Sequence, residues 1–256
     1  MSLALASPRA RLSVVALVLL ALLAACFGAG EFLRTLTDEG YADGRSLLGV
    51  PNFLNVASNL AFLAVGVAGL RLCAGPRRPP ALASWRLFYL GMVLTCFGST
   101  WFHLAPGDAT LVWDRAGMVT AFVGLAFGVL EESTGLPMGL QVLAPALLVG
   151  IASVWWWRRS GDMRLYSWVQ LAPLACAGTA VILNWVPALM RRALAASFAW
   201  YVLAKLAELY DQRIYTLTAH ALSGHTLKHL LAAASAAVIL AAQRRGLAPA
   251  PAQGTI

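Results

Sequence analysis

Apolar residues are distributed along this chain in long blocks, with neither strict alternation nor a narrow helical stripe. The blocks cover 12–29, 52–72, 85–104, 109–130, 138–156, 166–184, 194–213 and 223–243. Each is close to the roughly 20 residues that an α-helix needs to cross about 30 Å of hydrocarbon. Eight membrane spans are therefore predicted. The short alternating segments of a membrane barrel are missing, and a segment in lipid must satisfy its own backbone hydrogen bonds, so the spans are predicted to be helical. The longest polar break is 30–51, too short for a soluble domain. The pattern predicts an all-α polytopic helix bundle. Residues 1–30 would form an N-terminal transmembrane helix or a signal or anchor, 31–243 a seven-helix membrane domain, and 244–256 a disordered tail.

Composition strengthens this reading. The chain is 60% hydrophobic and 12% charged, too little polar surface for a soluble protein of its length. The net charge of +8 comes from arginines grouped at span ends, an arrangement that sets topology and argues against a nucleic-acid partner. With the N-terminus cytoplasmic, that side carries Arg9, Arg11, Arg71, Arg77, Arg78, Arg86, Arg191, Arg192, Arg244 and Arg245, ten basic residues against six in the opposite loops. "WRRSGDMR" runs against the bias. Arg9 and Arg11 followed by a short apolar run also describe a secretory signal, and "LAAC" at Cys26 has the form of a lipoprotein cleavage site. Cys26, Cys73, Cys96 and Cys176 have no ligand-like spacing and are expected as packing residues. No internal repeat of the transporter kind is present.

Ionisable residues inside spans are costly and mark candidate sites. One group lies in "GSTWFHLAPGDATLVWDRAGM", residues 98–118. Ser99 and His103, four apart, share a helix face. Asp114 stands about one turn into the returning helix, after a Pro106-Gly107 turn. The other group is "AKLAELYDQRIYTLTAHALSGHTLKH", residues 204–229, where His225 and His229 share a face and Ser223 is a candidate N-cap. The predicted topology places the end of the third span and the starts of the fourth and eighth on one side of the membrane. All five residues then meet near one face. Three imidazoles from two helices suit Zn²⁺ with a fourth position left open. An activated water could attack a carbonyl there, with Asp114 taking its proton and Ser99 donating to the oxyanion.

Structural readings compete for several of these residues. Ser99 can bond the carbonyl four residues back, and Asp114 can pair with Arg115, although helix neighbours diverge. Lys205 and Glu208 are read as an ion pair, with Asp211 and Arg213 nearer the surface. Lys228 has no chemical role, and His220 is left outside the ligand set. Trp155, Trp156 and Trp157 are read as an interfacial belt.

"PNFLNVASNL", "GSTWFH" with "WDRAGM", and the late HxxxH, in that order, resemble the alkaline ceramidase family of the CREST membrane hydrolase superfamily, in particular its bacterial alkaline phytoceramidase-like members. The resemblance covers roughly 38–243 and leaves the first span as an addition to a seven-helix core. It implies a zinc-dependent amidohydrolase of sphingolipid metabolism that cleaves ceramide or another N-acyl lipid. His103, His225 and His229 would bind zinc, Ser99 would assist the oxyanion, and Asp114 would act on the water. Its bacterial members suggest an inner membrane location, where the charge bias, with both termini cytoplasmic, puts the site near the periplasmic face. Asn55, Ser58 and Asn59 belong to the resemblance and are read as helix–helix hydrogen-bonding residues. The family's calcium-binding segment is only partly matched: Asn52 stands where a glutamate is expected. Asp38, Glu39 and Asp43 offer oxygen ligands for a hard cation, but calcium is not assigned. The alternatives are a non-enzymatic lipid-binding receptor or sensor with a structural zinc site, since the superfamily includes progestin and adipoQ receptors, and an ion pathway through Lys205, Glu208, Asp211 and the histidines. The oligomeric state is left open.

Overall fold

Ten helices and no β-strand make up the described part of the chain, residues 6–29 and 40–248 of the computed structural model. Helix α1 (Pro8–Gly28) starts at Ser7, whose side chain accepts from the Ala10 N–H, with proline at the first helical position. The second predicted span consists of α2 (Phe53–Ser58) and α3 (Leu60–Ala74). The break between them has a local cause. The Asn55 carbonyl accepts from Ser58 Oγ at 3.0 Å and Asn59 Nδ2 at 3.1 Å, while the Asn59 N–H turns to the Val56 carbonyl. Side chains thus compete with the regular helical ladder.

Helices α4 (Leu82–Leu104), α5 (Asp108–Thr134), α6 (Leu140–Ser160) and α7 (Arg164–Ile182) follow the third to sixth predicted spans within a few residues. Helix α8 (Ala188–Leu209) begins six residues before the predicted start at 194. It takes in Arg191 and Arg192, which sequence polarity alone assigns to a loop. Among the described residues, seven segments are long and apolar enough to cross a membrane: α1, α2 with α3, α4, α5, α6, α7 and α10 (Gly224–Gly246). Helix α8, with Arg191, Arg192, Lys205 and Glu208, has the length but not the composition. A short helix, α9 (Asp211–Leu217), bridges α8 to α10. Helix α10 continues through Gly246, so the first three residues of the expected tail are helical. Arg244 and Arg245 occupy its last turn, where cations complement the helix dipole.

The α4–α5 hairpin is the most extensive helix pair, with α8–α10 next. Small residues explain the first. A β-carbon at Gly91 would fall 2.2 Å from the Ala121 nitrogen and one at Gly98 2.3 Å from the Trp113 carbonyl oxygen. From the other side, Gly117 meets Thr95 and Gly124 meets Phe88 at 2.5 and 2.2 Å. Backbone approach of this kind is the usual basis of helix association in lipid. Ser197 and Ser235 hydroxyls, 2.8 Å apart, join α8 to α10. Helix α1 rests on α7 and α5, with Trp168 Nε1 donating to the Leu19 carbonyl at 2.9 Å and Arg11 to the Ser133 carbonyl at 2.5 Å.

Candidate metal centre

The last turns of α4 and the first turns of α10 bring His103, His225 and His229 together. All three are buried, and one ring nitrogen from each lies within 4.8 Å of the others. Their ring centroids are 5.0, 5.2 and 4.8 Å apart, at interplanar angles between 63° and 79°. A tetrahedral ion about 2.0–2.1 Å from an imidazole nitrogen stands roughly 3.2 Å from that ring's centre, which separates ligating rings by about 5 Å. Among the described residues, neither ring nitrogen of His103 nor Nε2 of His225 has a hydrogen-bond partner. Buried polar atoms without partners are costly and rare. Three converging imidazoles, two of them with unmet nitrogens, fit a metal ion, and the donor set suits a borderline cation such as zinc.

Surrounding residues fix the rings. Ser58 Oγ stands 3.0 Å from the Asn55 carbonyl oxygen and 2.8 Å from His229 Nδ1. A Ser58 hydroxyl that donates to Asn55 accepts from a protonated Nδ1, the tautomer that leaves the Nε2 lone pair of His229 for an ion. Asn55 Oδ1 accepts from Thr226 Oγ1 at 2.7 Å, tying α2 to α10 between the two histidines. Ser223 caps α10 as expected, accepting from the Thr226 N–H at 3.0 Å. Asp211 Oδ1 takes the His225 N–H at 2.7 Å, and its Oδ2 takes the Ala42 N–H at 2.9 Å. Gly224 permits this docking: a β-carbon there would stand 2.1 Å from the Ala207 carbonyl oxygen. On α4, the Asn52 amide donates to the His103 carbonyl at 2.8 Å, from a left-handed backbone conformation (φ 48°) that asparagine tolerates. The Tyr41 ring packs edge-on against His225 and His103, at centroid distances of 4.2 and 4.9 Å.

Ser99, Asp114 and His229 line one cavity between α4, α5, α7, α8 and α10. The close approach of the Gly98 and Trp113 backbones brings Asp114 to the same cavity wall as Ser99. Arg115 is not Asp114's partner: its guanidinium is 3.2 Å from Met163 Sδ and 3.6 Å from the Trp157 ring centroid. This also corrects the reading of Trp157, which is buried over that cation, while Trp155 and Trp156 are exposed as belt residues would be. Lys205 and Glu208 form the expected ion pair at 2.5 Å, and Lys228 joins it at 2.9 Å, so all three charges line the cavity. His220 stands apart, against Tyr215. The four cysteines are buried and free.

Asp211, expected only near the surface or in an ion pathway, and Tyr41 are site residues outside the predicted ligand and catalytic set. One signal for Asp211 exists: Arg213, two positions away on a helix, does not face it. Of the three acidic residues considered for a hard cation, Asp38 and Glu39 lie outside the described residues. Asp43 has both oxygens engaged by Arg45, from Nε and Nη2, each at 2.8 Å. The hydrogen bonds and charge of that guanidinium hold the Asp43 carboxyl below the usual carboxylate range.

No protein-family model matches the chain, and no curated protein matches it.

Proposed function

We propose that the chain is a zinc-dependent intramembrane amidohydrolase acting on N-acyl lipids, as its resemblance to the alkaline ceramidases implies. The observation that carries the reading is the meeting of three buried histidines, two of them with unpartnered nitrogens, beside a cavity that also receives Ser99 and Asp114. His103, His225 and His229 would hold the ion. Zinc bound there would supply Lewis-acid polarisation and a water activated near neutral pH. The apolar wall from Phe62, Phe88, Met92 and Ile239 accommodates an acyl chain and directs the amide toward the polar end. Asp114 accepts a proton from the attacking water as the oxygen adds to the carbonyl carbon. Ser99, on the same cavity wall, donates its hydroxyl proton in a hydrogen bond to the oxyanion. Asp114 then returns its proton to the departing nitrogen as the C–N bond breaks.

The test pairs metal analysis with hydrolysis of N-acyl lipids by the purified protein. One zinc per chain, lost together with turnover in His225→Ala and His229→Ala, is expected. Asp114→Asn should keep zinc and lose turnover by about 10²- to 10⁴-fold. Protein without zinc or hydrolysis under every metal supply overturns the reading. A second reading, a lipid-binding sensor with a structural ion, draws on one observation: His103 and His225 do not line the cavity. Undiminished lipid binding by a zinc-loaded, wholly inactive wild-type protein favours it.

A further inference from the structure

Glu208 divides its two oxygens between two ammonium groups, Oε2 to Lys205 and Oε1 to Lys228. Neutralising Glu208 requires only Lys205, three residues before it on the same helix. Lys228 comes from α10 and brings a second positive charge to one negative. Each ammonium has three donors and uses one on Glu208. Gln170 and Tyr201, joined at 2.6 Å, continue the polar wall, and the rest of the lining is largely apolar. Asp114 is the fourth charged lining group, and a divalent ion on three neutral imidazoles outweighs its charge.

We propose that Lys205 and Lys228 receive a carboxylate on the lipid head group, so that the preferred substrates are N-acyl amino acids rather than N-acyl lipids with uncharged heads. The inference rests on the hydrolase reading and names its substrate class. With the acyl chain in the apolar cavity and the amide beside His229 and Ser99, the head group falls on the polar wall of the same cavity, which Lys205 and Lys228 line. Two ammonium donors bind a carboxylate through charge-assisted hydrogen bonds, whereas an ethanolamine head leaves the same donors no better served than water does. The carboxylate of a released fatty acid offers the same chemistry, so the test separates the two sources.

The full-length zinc-loaded protein is assayed with N-palmitoyl glycine and N-palmitoyl ethanolamine, and equilibrium binding of both lipids to the full-length Asp114→Asn protein, in which that opposing charge is absent, is measured alongside. Wild type should favour the acidic lipid by about tenfold or more in kcat/KM and in affinity. Lys228→Gln and Lys205→Gln should each lower that ratio by several-fold, and Lys228→Arg should retain it. An equal or reversed preference in wild type, or a ratio unchanged in both glutamine variants, overturns the proposal. So does strong competition by palmitate without any acidic preference, which would make the pair a product site. If neither lipid is hydrolysed, the hydrolase reading fails, and the binding ratio alone decides: about tenfold tighter binding of the acidic lipid supports carboxylate recognition, and equal binding overturns it.

Discussion

Burying three imidazoles in contact costs their hydration and leaves lone pairs facing one another, so the cluster stands only if something shared satisfies those nitrogens. The residues around it are placed to select which nitrogen faces inward. Ser58 is the clearest case. When it donates to the Asn55 carbonyl, its oxygen accepts from His229 Nδ1. Ser58→Ala removes that acceptor, frees the ring to rotate and permits the wrong tautomer. Partners of metal-bound histidines usually contribute about 10- to 100-fold in metal affinity. The expected result is a loss in that range, read by competition with a chromophoric chelator, with helix content unchanged. Affinity equal to wild type would leave Ser58 as a packing residue only. Adjacent residues part company for the same geometric reason that makes the site: Asp114 faces the cavity while Arg115, one position on, lies over Trp157.

At the scale of helices, the site depends on how closely α10 docks on α8 and α9. Gly224→Ala places a methyl group 2.1 Å from the Ala207 carbonyl oxygen and 2.6 Å from the Asp211 α-carbon. Backbone cannot yield as a flexible side chain can, so α10 must shift and loosen the Asp211 bond to the His225 N–H. A loss of about 1–3 kcal/mol is expected, with weaker zinc binding. Gly178→Ala in α7, where an added β-carbon meets no other part of the protein within 4 Å, should be neutral or stabilising by up to about 1 kcal/mol. Thermal melting of both variants in one detergent checks the contrast, and equal melting temperatures would mean that α10 adapts. The helical period also explains what is legible in the sequence. Ser99 with His103, and His225 with His229, sit four apart, so spacing alone reveals their shared faces, and Ser223 announces its cap. Asp211, Tyr41 and the direction of Lys228 stay hidden because each acts across helices, through contacts no local spacing encodes. Trp157 departs from the expected belt for a related reason: composition places three tryptophans at a span end but does not say which one turns inward over Arg115. The α8 start differs from the predicted one because polarity suggests a loop at Arg191 and Arg192, whereas the helix begins just after Pro187 and carries both.

For the whole molecule, the histidine cluster lies at one end of the bundle, where α4 ends and α5 and α10 begin. The sequence has ten basic residues in the loops predicted for the opposite end and six in those predicted for the site end, which leads us to expect the site at the non-cytoplasmic face. The two ends can be distinguished chemically, because the four native cysteines are all buried and should give little background with a membrane-impermeant maleimide. Ser160 is exposed where α6 finishes at the site end, and Pro80 is exposed before α4 at the other. In bacterial cells with a permeabilised outer membrane and an intact inner one, Ser160→Cys is expected to label and Pro80→Cys to stay unlabelled until the cells are lysed. The reverse pattern would place the histidines at the cytoplasmic face, where a lipid substrate would have to come from the inner leaflet. Equal labelling of both positions before lysis would contradict a bundle whose helices run from one side of the membrane to the other.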